Sequence, residues 1–391
     1  MKNKKSILFV GHSYYHNYYL SRELRMFGWK TDVLNIDLNP DDQMYYHGSD
    51  YIIHQKGILG TIKNLLFFFR SLLKYKIFHF SNAEGMYFPP FDNFKILQKI
   101  FGIHFEIKLL KFFGKFITYS NNACRDGVSQ TSFNKWKPYP VCDSCSWKNN
   151  KDVCSDEKNL KWGRFRNKYA DFIGTLGGNR VDFNNATHVF EAPWIYSLDK
   201  NVWKPDLLIP SNYKLPYDSK TIKVYHSVGN FDTRVSVNGV DTIKSTELWL
   251  KTIDRLKADG YDIEIIFFND VPNKKIKYFQ SQADIFIDML TFGWFGANIR
   301  EAMMLGKPSI CFLRPEWLKD MSKEIPEYVD ELPVISATPE TAYTKLKWLI
   351  DNPEKRIEIG KKMREFGVKW HSSDNAAIRA DEIFTDLINN G

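Results

Sequence analysis

The stretch ADIFIDMLTFGWFGANIREAMMLGKPSICF (283–312) decides the reading of the fold. It reads as a buried strand, a Gly-rich turn, a helix, a glycine and a second buried strand. Gly293 and Gly296 let backbone approach a ligand closely. The helix that opens near Asn298 points free N–H groups and the positive end of its dipole out of the turn, a ready site for a diphosphate. Glu301 is expected in the first turn, placed to accept hydrogen bonds from a ribose diol. A second reading stays open: Gly296 and Asn298 only shape the helix start, and Glu301 only complements the dipole.

Outward from this unit the same alternation continues. TIKVYHSVGN (221–230), a helix over STELWLKTIDRLKADG (245–260) and DIEIIFF (262–268) precede it, and ETAYTKLKWLI (340–350) leads into closing helices. Strands that alternate with helices predict a parallel sheet. The N-terminal half opens the same way. SILFVG is a strand, HSYYHNYYLSRELRMFG a loop and helix with Gly28 at its C-cap, and WKTDVLNI a second strand. A helix over 59–75, the strand KIFHFS, an amphipathic stretch over 90–113 and the strand FITYSN follow. The Pro-studded run LDKNVWKPDLLIPSNYKLPYDSK (198–220) is the linker candidate. The expected organisation is α/β: an N-terminal Rossmann-like domain over 1–207, a C-terminal one over 208–370 and a terminal helix over 371–391. Both sheets are doubly wound and face an interdomain cleft.

Composition agrees with a globular chain of about two domains. It has 391 residues, 43% hydrophobic and 26% charged, which excludes disorder, collagen and a coiled-coil rod. The charge of +8 is a mild excess that suits anionic small molecules or an anionic membrane face and does not call for nucleic acid. The most apolar run, 57–80, is interrupted by Lys63, Arg70, Lys74 and Lys76, so no bilayer span is expected. The N-terminus reads as a strand and not as a signal peptide. A cytoplasmic protein is expected.

Four of five cysteines fall in one window, Cys124, Cys142, Cys145 and Cys154. The C-x2-C pair fits a structural zinc site with four thiolates. Reduced thiols in a loop are the competing reading. The region 124–165 lacks periodicity and reads as an insertion that needs a staple. Cys311, inside PSICF, is a core residue.

The stretch GWFGANIREAMMLGKPSICF resembles the acidic signature of the retaining glycosyltransferases of family 4, typically EGFGxxxxEAMxxGKPVI. These enzymes have the GT-B fold. Glu301 matches the second signature Glu, and Gly293 stands where the family has the first, which contacts the transferred sugar. The tail ATPETAYTKLKWLIDNPEKRIEIGKKMREFGVKWHSSDNAAIRADEIFTDL is similar to the helices that such enzymes pack back across the cleft. The resemblance covers 221–391 well and the rest more loosely. It implies transfer of a sugar from a nucleoside diphosphate sugar to a polysaccharide or lipid-linked glycan, with retention, in cell-surface glycan synthesis.

The resemblance also implies site residues. Lys244 and Arg234 would face the donor diphosphate, although Ser245 replaces the family's glycine after that Lys and the gap is longer. Glu301 would hold the ribose, with Gly293, Gly296, Ala297 and Asn298 at the diphosphate. Gly11, His12 and Ser13 would line the cleft from the first domain, with Gly11 and His12 binding the donor, and His79 would lie near the transferred sugar. Asn121, Asn122 and Arg125 would edge the acceptor side, where Arg125 meets an anion or pairs with Asp126. No catalytic metal is expected, because cationic side chains can carry the leaving-group charge. The basic amphipathic stretch 94–116 would rest on an anionic inner membrane face or pack on the core. A non-catalytic glycan-binding scaffold of the same fold is the alternative, supported by the missing first Glu. A nicotinamide oxidoreductase is disfavoured, because VGHSYYHN lacks G-x-G-x-x-G.

Overall fold

A computed structural model describes residues 5–37, 39, 43–54, 57–81, 87–88, 92–121, 124–143, 145, 147–176, 180–228, 243–268 and 271–391. Among them, two wholly parallel sheets organise the chain. The first contains β1 (Ser6–Val10), β2 (Lys30–Asn35), β3 (Tyr51–Ile52), β4 (Ile77–Phe80), β5 (Phe116–Ser120), β6 (Phe172–Thr175) and β7 (Val189–Glu191). Its order is β3-β2-β1-β4-β5-β6-β7. The second contains β8 (Ile222–His226), β9 (Ile263–Phe267), β10 (Ile285–Ile287), β11 (Ser309–Cys311) and β12 (Ile335–Ser336), ordered β12-β11-β10-β8-β9. Strand order reverses between β1 and β4 in the first sheet and between β8 and β10 in the second. Parallel sheets bind ligands beyond the carboxyl ends of strands at such points.

Helices cover both faces of these sheets. In the first half they are α1 (His16–Met26), α2 (Gly57–Lys74), α3 (Asp92–Phe101), α4 (Phe105–Phe112), α5 (Gln130–Phe133) and α6 (Asp156–Tyr169). In the second they are α7 (Thr246–Ala258), α8 (Asn273–Gln280), α9 (Ala297–Leu305), α10 (Pro315–Glu324), α11 (Pro326–Asp330), α12 (Ala342–Asp351), α13 (Pro353–His371) and α14 (Ser373–Asn390). Gly28 closes α1 as expected. Its φ is +80° and its N–H bonds the Arg25 carbonyl, a conformation that glycine adopts without a Cβ penalty. The expected helix over 90–113 is two helices, since Gly102 (φ +86°) and His104 (φ +60°) break it. The irregular insertion ends sooner than 165: Ser155 accepts a bond from the Lys158 N–H and starts α6, with Asp156 and Glu157 in its first turn.

Alternation along β1 sends Ile7 and Phe9 to one apolar cluster and Leu8 and Val10 to another. The first cluster runs through both halves, joining Phe9 and Trp29 to Met303, Phe366 and Phe384. The chain crosses between halves twice at one place, where Leu198 and Ser372 bridge in parallel. After that crossing α14 lies back on the first sheet. Its Asp381 accepts from Lys5 Nζ at 2.5 Å and Trp29 Nε1 at 2.6 Å, and Phe384 packs on Trp29 and Trp194.

Candidate functional site

The reversal point of the second sheet holds a built cationic corner. Asp288 follows β10 and is fully buried, and Lys244 Nζ donates to its Oδ1 at 2.7 Å. Lys244 precedes α7 through Ser245, whose φ is +55°. Glycine would adopt that conformation without strain. Here the Ser245 hydroxyl accepts the Leu290 N–H at 3.0 Å and secures it. A Cβ added to Gly296 would lie 3.7 Å from Lys244 Nζ. Gly296 is the extended N-cap of α9, and no side chain caps that helix. Free N–H groups, the helix dipole and a fixed ammonium therefore converge, with Asn298 beside them carrying two buried, unpartnered amide atoms.

Glu301 is the fifth residue of α9, past the first turn. It is buried, and its carboxylate accepts Tyr15 Oη at 2.7 Å, Asn273 Nδ2 at 3.1 Å and Gln280 Nε2 at 2.5 Å. Burial raises its pKa, and the Tyr15, Gln280 and Asn273 bonds work against that rise. Tyr15 comes from the first half of the chain, so this bond crosses between the two sheets' layers.

Gly293 has φ +106°, and a Cβ there would meet Arg314 Nε at 2.6 Å and Arg314 Cβ at 2.7 Å. The space a side chain at 293 would take is thus filled by Arg314. That guanidinium donates to the carbonyls of Lys137 (3.0 Å), Tyr139 (2.7 Å) and Thr291 (3.0 Å). The insertion docks on the second half through it, and Val128, Phe133, Val141 and Cys142 pack toward Phe292 and Trp294.

Across the cleft, Gly11 (φ +91°) ends β1, and its carbonyl accepts Asn17 Nδ2 at 2.9 Å. Ser13 and Tyr14 both have positive φ, a strained pair at the reversal point of the first sheet. His12 is buried, stacks on Tyr46 at 4.0 Å, and burial lowers its pKa to about 4. Asn121 is buried with Oδ1 unpartnered. Arg125 donates to the Val153 carbonyl at 2.7 Å, whereas Asp126 accepts from Tyr119 and Trp162 instead of Arg125.

Some expected residues are not brought together. His79 lies inside the layer between the first sheet and α14, against Phe9 and Phe384, with Nδ1 on the Thr118 hydroxyl at 2.9 Å. Burial lowers its pKa to about 3. It does not join the Lys244 corner, because inward alternation on β4 turns it beneath the terminal helix. Arg234 and Asn122 lie outside the described residues. Among the described residues, no group of three or more His, Cys, Asp or Glu side chains is placed to hold a metal ion. The expected zinc cage is therefore not assembled. Cys142 turns into an apolar cluster, and Cys154 Sγ accepts from Gln130 Nε2 (3.2 Å) and Asn159 Nδ2 (3.4 Å). No disulfide joins any of the five cysteines. Burial and the neighbouring thiols push Cys124 up to about 12.

Sequence reading missed Tyr15, Asp288, Arg300 and Arg314. Asp288 follows the strand IFI at its carboxyl end, the signal that could have found it. The other three reach across the chain from distant elements and leave no local pattern.

No family model matches the chain, and no curated protein matches it. Solved structures do. The chain is similar to sucrose-phosphate synthase from Thermosynechococcus elongatus, with a TM-score of 0.62 at 12% identity, over 99% of this chain and 100% of that one. It is similar to Anabaena HepE in complex with UDP and glucose, with a TM-score of 0.57 at 13% identity, over 97% and 99%. It is also similar to a variant of S. aureus TarM in complex with fondaparinux, alpha-GlcNAc-glycerol and UDP, with a TM-score of 0.54 at 10% identity, over 98% and 100%. These neighbours are GT-B glycosyltransferases, and the two-sheet architecture of this chain is the GT-B fold.

Proposed function

We propose that the protein is a glycosyltransferase that moves a sugar from a nucleoside diphosphate sugar to a glycan or lipid-linked acceptor, with retention of configuration, in cell-surface glycan synthesis. The observation that carries this reading is Lys244, fixed by buried Asp288 beside the uncapped N-terminus of α9. A departing nucleoside diphosphate gains negative charge, and preorganised cations and N–H groups stabilise it more than they stabilise the ground state. The backbone at Gly296, Ala297 and Asn298 takes the diphosphate, and Arg234 adds a second cation. Glu301 takes the ribose hydroxyls. Because Tyr15 already bonds it, a ribose displaces or shares that contact when the donor enters.

In retaining transfer of this kind the protein supplies no nucleophile. The acceptor hydroxyl attacks on the face that the diphosphate leaves, and a diphosphate oxygen takes its proton. Holding donor and acceptor in register supplies the remaining acceleration. Gly11 and His12 meet the donor from the first domain, and Asn121 and Arg125 form the acceptor side. Burial keeps His12 neutral near pH 7, so it serves as a hydrogen-bonding group and not as a cation.

The acceptor side also favours a lipid-linked substrate. The outer face of α2 exposes Ile58, Leu59, Ile62, Leu66, Phe69 and Leu73, and α3 exposes Ile96, Ile100 and Phe101. Lys63, Arg70, Lys95 and Lys99 are exposed among them. Apolar residues interleaved with cations suit an anionic membrane face. No helix among the described residues is long and apolar enough to cross a membrane.

The test is thermal stability of the purified protein against nucleoside diphosphates and their sugars. A ligand that binds the native state raises the melting point by mass action. One nucleotide should stabilise the wild type, and Lys244→Ala should abolish the response. No response to any nucleotide would move the reading to a non-catalytic scaffold.

A further inference from the structure

Arg300 has a place on α9 that the donor chemistry above does not use. It is 5% exposed. Its guanidinium carbon lies 5.1 Å from the ring centre of Tyr196, so the side chain points toward the first domain. Among the described residues it makes no ion pair and no hydrogen bond, and its Nε is sealed without a partner. Glu301 is the adjacent acid in sequence, yet its oxygens bond Tyr15, Asn273 and Gln280.

The surroundings are short of partners too. His16 Nε2, Ser197 Oγ, Asn121 Oδ1 and both amide atoms of Asn298 are buried and unpartnered. Most of these share one neighbourhood. His16 Nδ1 meets the Ser197 carbonyl at 2.7 Å, the His16 ring lies 5.7 Å from Tyr196, and the Tyr196 hydroxyl donates to the Asn121 carbonyl. Burial first, and the Arg300 charge second, hold both His16 and His371 well below the usual imidazole range. Glu301 acts on Arg300 through charge alone, and a buried guanidinium with no hydrogen-bonded acid is costly, so native proteins keep one where something else completes its shell.

We propose that Arg300 receives an anionic group of the substrate, a carboxylate or a phosphate, carried either on the transferred sugar or on the acceptor. The planar fork of an arginine suits either group in a two-point contact. Asn298 and His16 have free hydrogen-bonding atoms to complete its shell. This rests on the reading of the cleft as a transferase site and names the substrate class that it takes: anionic glycans or anionic sugar donors.

The experiment compares wild type, Arg300→Gln and Arg300→Met. In the donor arm, UDP, UDP-glucose and UDP-glucuronic acid are titrated by calorimetry. In the acceptor arm, glucuronate, glucose and inorganic phosphate are added in the presence of UDP and read by melting temperature. The wild type should prefer the charged probe over the neutral one by about tenfold or more in one arm, and Arg300→Gln should erase that preference while UDP affinity is unchanged. The arm that responds tells donor from acceptor. Without ligand, Arg300→Met should melt higher than wild type, because it removes a buried guanidinium that lacks hydrogen-bond partners at similar volume. Equal response to charged and neutral probes in both arms overturns the proposal, and so does a preference that survives Arg300→Gln. A melting point lowered by Arg300→Met marks a structural arginine and also overturns it. A protein that ignores UDP altogether refutes the nucleotide reading, and the free-anion arm still judges Arg300.

Discussion

Gly293→Ala tests whether the packing of Arg314 excludes a side chain at position 293. Position 293 has φ +106°, which costs an L-residue about 1–2 kcal/mol. The added Cβ would also stand 2.7 Å from Arg314 Cβ, which is not the free end of a flexible chain. Arg314 must shift, and its three bonds to the Lys137, Tyr139 and Thr291 carbonyls cannot all survive. Losing one charge-assisted bond at a buried site costs about 1.5–3 kcal/mol. Together these give a destabilisation of about 2.5–5 kcal/mol, at the upper end for one methyl group. Urea unfolding followed by tryptophan fluorescence is the assay, since the Arg314 guanidinium lies 5.3 Å from the Trp136 ring. In an Arg314→Gly background, which removes both the guanidinium and the Cβ, the same substitution should keep only its backbone cost, a coupling of about 1.5–3 kcal/mol. If Gly293→Ala lies within about 0.5 kcal/mol of wild type, or costs the same in both backgrounds, the reasoning fails.

Other outcomes follow from the same geometry. Lys244→Ala leaves Asp288 buried without its cation, so it should destabilise by about 3 kcal/mol as well as remove the nucleotide response, and Asp288→Asn should restore stability to Lys244→Ala but not binding. Ile62→Glu with Phe69→Glu should lower co-sedimentation with phosphatidylglycerol vesicles without changing the melting temperature, because both side chains are exposed, and a fall in stability instead would mark that face as packed core. Stability should fall on acidification below about pH 6.5. Burial holds His12, His47 and His226 near 4 and His79 near 3, so the unfolded chain binds protons there before the native one does. Each imidazole contributes a slope of about 1.4 kcal/mol per pH unit down to its native value. Buried Glu106, raised to about 7, opposes one of them between its native value and its unfolded value of 4.5. Denaturant titrations at pH 7.5, 6 and 5 measure the sum, and a flat profile would contradict these burials.

The sequence by itself determined the local elements. Runs such as SILFV and IFI are apolar throughout because parallel strands are covered on both faces, so they were visible as strands. The turn Gly293 to Gly296, the α9 that follows it and the Gly306 C-cap (φ +66°) needed only local backbone rules. Lys244 was expected only from the resemblance, and its bond to Asp288 became visible with the fold. Tertiary structure alone decided which side chains meet. Tyr15 and Glu301 are 286 residues apart and share one hydrogen bond. Arg314 closes position 293 from another strand's end and anchors an insertion some 175 residues upstream of it. His79 could be read equally as a cleft residue or as a core one, and α14 settled it by returning over β4. The four cysteines do gather, since Cys142, Cys145 and Cys154 all act on Cys124, yet no described group of three is placed to hold a metal ion. Sequence period fixes which face a residue takes within its own element. Which other element covers that face depends on how the sheets and crossings close in space, and no short-range pattern encodes that.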